Sequence, residues 1–198
     1  FPTSPRTAAD RNNRFFFAWV QSDLSGQSDV YMAILSSSGQ VLKNAFQVTD
    51  SAGTGESYFS PALTHLDNGG VMLAYSVNTG AAQPLGYQIF DTNGGLVQAE
   101  SRITYPDQRT RGKDMVQLSG GSVLVSWIDE NTHHVHYSML SKAGSVWSSG
   151  AVFELTPGYQ LGAINVSVTS DIYDHGIITW AAELGNRTLN YALGTPSG

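Results

Sequence analysis

The 198-residue sequence contains no cysteine. That excludes a disulfide framework, a zinc–thiolate site and a cysteine nucleophile. Cations are also scarce: ten Lys and Arg stand against sixteen Asp and Glu, for a formal charge of −6. A protein that grips phosphate backbones needs clustered Lys and Arg, so no nucleic-acid partner is expected. No run approaches about 18 apolar residues, and no membrane span is expected. A leader-like apolar stretch is missing too, and Phe1 reads as a start left by processing or excision. Gly-rich phosphate loops, a nucleophile elbow, a calcium loop and an HExxH pair do not occur, so neither cofactor nor metal is expected. Amphipathic helical periodicity is not evident.

What the chain does have is apolar residues at 41%, enough for a real core, and 21 glycines. It also repeats. An apolar run ending in an aromatic recurs as Phe15–Trp19, Val71–Tyr75, Val123–Trp127 and Ile177–Trp180, with the anchor aromatics 56, 52 and 53 residues apart. A second element follows each: Tyr31–Leu35, Gly86–Phe90, His136–Leu140 and Asn190–Leu193. The first three of these meet a glycine turn at Gly39, Gly94 and Gly144. A third element ends alike in three copies, at Thr49, Thr104 and Thr156. Pro5 and Pro61 each lie 14 residues before their anchors, Trp19 and Tyr75.

Each unit therefore reads as four short strands, a to d, rich in Val, Ile, Phe, Tyr and Thr and punctuated by Gly and Asn. Strand a is expected to begin near Pro5, Pro61, Lys113 and Val166, with proline at the first position, where its missing N–H is not needed. Four-stranded units of this length predict an all-β fold, a β-propeller of four-stranded antiparallel blades at approximately 1–50, 51–105, 106–157 and 158–198. Residues 1–198 then form a single propeller domain or a fragment of a larger ring. The fourth unit shows strands a, b and c only. Phe1–Thr3 is a candidate to supply its missing strand. Open blade edges would permit self-association.

The pattern of apolar run, Ala-Trp, then Tyr and a Gly turn, then Val-Thr resembles blades of large secreted or surface bacterial proteins, sialidase-like and adhesin-type propellers among them. The resemblance covers nearly the whole chain. It implies the fold, and an extracellular or cell-surface location. Sialidase-like blades often carry an Asp-box, Ser-x-Asp-x-Gly-x-Thr-Trp. The nearest segment, Ser141–Trp147, has no Asp and is one residue short. The arginine triad of a sialidase has no counterpart.

In a propeller the b–c and d–a loops share one face. The b–c loops would carry Asp23, Asn78, Asp129, Glu130 and Glu183. The d–a loops would add Tyr58, Phe59, Tyr105, Arg109, Arg111 and Tyr159. Aromatic platforms with carboxylate and amide partners suit sugars, and an ordinary polar rim has the same composition. His133, His134 and His136 form the densest titratable cluster, beside Asp129 and Glu130. Strand alternation puts His134 and His136 on one face. The residue equivalent to His136 varies between blades, which suggests an exterior position. His65 falls in a strand a and His175 in an a–b turn, with no evident partner. The anchors Trp19, Tyr75, Trp127 and Trp180 suggest packing between blades. Asn165 and Asn186 begin glycosylation sequons.

The repeat regularity favours a non-catalytic module that binds a glycan or a surface protein through the b–c/d–a face. Two alternatives remain. One is a polysaccharide-degrading hydrolase or lyase, with Asp129, Glu130, His134 and His136 as its catalytic groups. The other is a structural repeat unit of a surface assembly.

Overall fold

The anchor aromatics all stand on the second strand of an antiparallel sheet. The computed structural model describes residues 2–103, 109–155, 163–171, 173, 175–182 and 188–194. Phe1, Tyr105, Tyr159, Glu183 and Asn186 lie outside them. The chain forms two compact units, Phe1–Asp107 and Gln108–Gly198.

In the first unit, β1 (Pro2–Ala9), β2 (Arg14–Ser22), β3 (Ser28–Ser36) and β4 (Val41–Gln47) make blade 1 in chain order. A single helical turn, α1 (Ser51–Thr54), leads to β5 (Ser57–His65), β6 (Val71–Asn78), β7 (Leu85–Phe90) and β8 (Leu96–Ile103), which make blade 2. In the second unit, β9 (Thr110–Gln117), β10 (Val123–Asp129), β11 (Val135–Ala143) and β12 (Val146–Glu154) make blade 3. Blade 4 has three described strands, β13 (Ala163–Ser170), β14 (Gly176–Ala182) and β15 (Thr188–Gly194).

The alternation of strand side chains sets the cores. Phe16, Ala18, Val30, Met32 and Ile34 of blade 1 pack on Leu63, Val71, Leu73, Tyr75 and Val77 of blade 2. In the second unit Leu124, Ile128 and Val135 meet Ala163, Val168 and Ile178, with Trp180 packed alongside. Tyr75 and Trp180 thus lie between blades of one unit. Trp127 is fully buried, whereas Trp19 is half-buried and stacks on Tyr31 at 6.1 Å between ring centroids.

One hairpin loop recurs. The N–H of residue i donates to the carbonyl of i+4 at Asp10, Asp23, Ser36, Leu66, Asp91, Leu118 and Asp171. A left-handed residue closes six of these loops at i+3: Asn13, Gly26, Gly39, Gly69, Gly94 and Gly121. Where i is Asp, its Oδ1 accepts from the N–H groups of i+2 and i+4, as at Asp10, Asp23, Asp91 and Asp171. The side chain thereby replaces the strand pairing that the turn interrupts. Burial raises the Asp10 carboxyl, but bonds from Arg14 and Asn12 and the Arg14 charge hold it below the ordinary range.

Strand a departs from expectation in all three complete blades. It begins earlier, at Pro2, Ser57 and Thr110, and in blade 4 at Ala163. Pro5 and Pro61 sit inside their strands, just after a left-handed serine, Ser4 or Ser60, both at φ 53°. Register is broken there, so that Ser4–Pro5 oppose Trp19, and Ser60–Pro61 oppose Tyr75. Gly112–Lys113 oppose Trp127 in the same way, with Gly112 at φ 42°. These are two-against-one bulges, and a bulge leaves the proline without a ladder bond to make. Pro2 and Thr3 pair with Gln21 and Val20 within blade 1, so they extend its strand a and do not imitate a fourth-blade strand. The short α1 is likewise unforeseen. Asp50 caps it by accepting from the Gly53 N–H, and Asp29 holds its start through the Ser51 N–H and hydroxyl.

Candidate functional site

The titratable side chains of blade 3 gather where β10 turns into β11. The loop is one residue longer than the recurring one: the Asp129 N–H donates to the His134 carbonyl, and the His133 N–H donates to the Asp129 carbonyl. Asp129 is buried, and its Oδ1 accepts from the Asn131 and Thr132 N–H groups at 2.7 and 3.2 Å. Glu130 points into solvent, and its N–H donates to the Arg109 carbonyl at 2.7 Å.

His134 Nδ1 lies 2.5 Å from Glu154 Oε1 on β12, and both side chains are about a quarter exposed. Sequence reasoning missed Glu154, because nothing local links it to His134. A two-residue alternation along β11 brings His136 opposite Glu154 on the neighbouring strand. His136 is the correction: it is 3% exposed, not exterior. It pairs across strands with Trp127, as Tyr31 pairs with Trp19 and Gly86 with Tyr75. Its ring stacks on Trp127 at 6.0 Å and 19°. The variation between blades therefore reflects what each anchor needs beside it, not tolerance. Burial pushes the His136 imidazole down, against the pull of the Glu154 and Asp129 charges, with His134 adding to the lowering. Arg111 on β9 lies 2.7 Å from His133 Nδ1 through Nη2, and donates from the same nitrogen to the Ala163 carbonyl.

The remaining predicted residues are not gathered into one place. Asp23 and Asn78 form local turns, accepting from the Ser25 and Gly80 N–H groups. Tyr58 lies within β5 and is 3% exposed, so it is no loop platform. His175 does have a partner, Asp171 Oδ2 at 2.8 Å from its Nδ1. Asn165 is exposed on β13.

A second cluster, unforeseen, closes blade 2. Arg102 of β8 donates from both Nη atoms to Glu56 and from Nε to Glu100. Tyr58 donates to Glu56 at 3.1 Å, and Tyr75 donates to Glu100 at 2.8 Å. The Arg102 hydrogen bonds hold the Glu56 carboxyl below the ordinary range despite its burial. Burial pushes the Tyr58 phenol up to about 12. Every acceptor oxygen here is occupied, which describes a lock between β8 and the start of β5. Among the described residues no group of three or more His, Asp or Glu is placed to hold a metal ion, and no helix is long and apolar enough to cross a membrane.

Four-stranded, up-and-down antiparallel sheets repeated along one chain define the β-propeller class, and this protein is one. Similar solved structures carry the same fold. A protein of unknown function from Dyadobacter fermentans matches at TM-score 0.66 and 11% identity, over 98% of this chain and 66% of that one. The exo-β-1,3-galactanase from Clostridium thermocellum matches at TM-score 0.67 and 11% identity, over 98% and 46%. The endo-arabinase from Bacteroides thetaiotaomicron matches at TM-score 0.60 and 11% identity, over 98% and 75%. A family-43 glycoside hydrolase, a β-1,3-galactosidase, an arabinanase and sialidases recur among the others. The chain thus spans less than two-thirds of several of the proteins it matches. No family model matches it, and no curated protein is similar to it in sequence.

These likenesses overturn the expectation of a non-catalytic binding module. Proteins sharing this fold are, by name, mostly enzymes that act on glycans, and the hydrolase alternative is the reading the comparisons back.

Proposed function

We propose that this chain belongs to a propeller enzyme that cleaves glycosidic bonds in polysaccharides, outside the cell, with its chemistry at the β10–β11 end of blade 3. In this reading residues 1–198 are one propeller piece, with blades at about 1–50, 51–105, 106–157 and 158–198. The observation that carries it is the company of the fold: seven of the eight similar structures named above and alongside them are glycoside-cleaving enzymes. Fold alone does not fix function, so the site has to supply the chemistry.

Glycoside cleavage needs a proton for the departing oxygen and a carboxylate to support the positive charge that develops on the sugar. The His134–Glu154 pair meets the first need. Glu154 orients the imidazole and supports its protonated form, and that form can donate to the leaving oxygen and recover the proton from water. Asp129, lying against the same loop, is the second carboxylate. The partner is a glycan.

The test is reducing-sugar release from linear arabinan, β-1,3-galactan and a sialylated oligosaccharide. Release from one of them, cut about 100-fold or more by Glu154→Gln and by His134→Asn, is expected. No release from any glycan overturns the function. Release that both variants leave intact overturns the site.

A further inference from the structure

His133 occupies a backbone conformation that its neighbours in the fold reserve for other residues. Its φ is 59°. In the six five-residue hairpin loops the left-handed position is filled by Gly five times and by Asn once. A histidine there costs on the order of tenfold in loop population relative to glycine. Such a residue persists only where its surroundings over-determine it. Here they do: the His133 N–H donates to the Asp129 carbonyl at 2.8 Å, and its carbonyl accepts from the Ala163 N–H at 3.2 Å.

The side chain is held as firmly. Arg111 Nη2 stands 2.7 Å from His133 Nδ1. A guanidinium has donors only and stays protonated. The Nδ1 atom must therefore present its lone pair, and a neutral imidazole with that lone pair free carries its proton on Nε2. Arg111 is itself tied down, donating from Nη2 to the Ala163 carbonyl at 2.9 Å. His133 is exposed, so the Nε2–H is not spent on burial inside the protein.

We infer that Arg111 is a positioning residue that holds His133 as a neutral Nε2–H donor, and that this donor recognises an oxygen of the glycan. The inference rests on the glycan-cleaving reading and adds a specificity residue to it. Glu154 and His134 carry the proton. His133 carries none and takes part in binding. Sugar hydroxyls and ring oxygens accept hydrogen bonds, and a fixed neutral donor selects them without attracting anions. A residue kept for this role explains why glycine, the easier choice for the loop, does not stand at 133.

The test uses the full chain and two readouts. Long-range nitrogen–proton NMR at pH 7 is expected to show His133 as the neutral Nε2–H tautomer, and Arg111→Met is expected to return the mixed population of a free imidazole. His133→Gly is expected to melt no lower than the wild type, since glycine relieves the left-handed strain. Its KM for whichever of arabinan, β-1,3-galactan or the sialylated oligosaccharide is cleaved should rise about 5-fold, the loss falling on KM more than on kcat. A charged or Nδ1–H imidazole in the wild type overturns the positioning role. An unmoved KM in His133→Gly overturns the recognition role. If no glycan is cleaved, the hydrolase reading fails and the recognition role fails with it, while the tautomer, measured without glycan, still decides what Arg111 does.

Discussion

The ring of Tyr75 lies directly across Gly86. A Cβ added to Gly86 would stand 2.7 Å from Tyr75 Cε2 and 2.9 Å from Val77 Cγ2. The glycine lets the phenol cross β7 and reach Glu100 on β8, where it donates at 2.8 Å. In blades 1 and 3 the same place holds Tyr31 and His136, each stacked on an indole. One position thus solves three different packing problems.

Gly86→Ala is therefore expected to displace the Tyr75 ring and strain its bond to Glu100. The cost should be roughly 1–3 kcal/mol. Thermal melting of the variant reads it. An unchanged melting temperature would show that the Tyr75 ring can move aside freely.

Arg102 holds two carboxylates that stand on opposite sides of blade 2 in sequence, Glu56 and Glu100. Arg102→Met should leave both without their cation and cost about 2 kcal/mol at pH 7. The pH dependence has a definite sign. The folded Glu56 carboxyl sits below its unfolded value, because of the Arg102 hydrogen bonds. Its contribution is present above the unfolded pKa, about 4.3, and is lost as pH falls through the folded one. Urea midpoints measured from pH 6 down to pH 3 should converge between wild type and variant. Parallel curves would mean that Glu56 does not draw its stabilisation from Arg102.

His136 gives a second pH window. Burial lowers its folded pKa, so below about pH 6.5 the unfolded chain takes a proton that the fold refuses. Stability is expected to fall as pH drops from about 7 to 5.5, by up to about 1 kcal/mol per pH unit from this group. His136→Tyr, which copies the Trp19–Tyr31 pair of blade 1, should keep the stack on Trp127 and remove this component. Denaturant midpoints at the two pH values, compared between the two proteins, decide it. Equal slopes would show that His136 accepts its proton in place.

The two clusters and the loop geometry differ in how visible they are along the chain. The repeat of apolar runs, anchor aromatics and glycine turns was legible, because strand alternation and tight turns are properties of consecutive residues. It yields the all-β propeller, the order of the strands and the hairpin loops at Gly39, Gly94 and Gly121. The Ser-Pro pairs were visible as a signal. Their meaning as bulges opposite Trp19 and Tyr75 depends on a partner strand.

The site divides in the same way. The sequence marked the histidine cluster and Asp129, since they crowd one short stretch. Tertiary structure decided what each does. Glu154 reaches His134 only because β12 pairs with β11, and His136 goes inside because Trp127 lies beside it on β10. Arg111 meets His133 only when β9 and the β10–β11 loop are side by side. Arg102 meets Glu56 across 46 residues. Local pattern determines which strands and turns form, because those bonds close within a few residues. Partners across strands are set by register, and a shift of one residue would turn every one of these side chains to the other face.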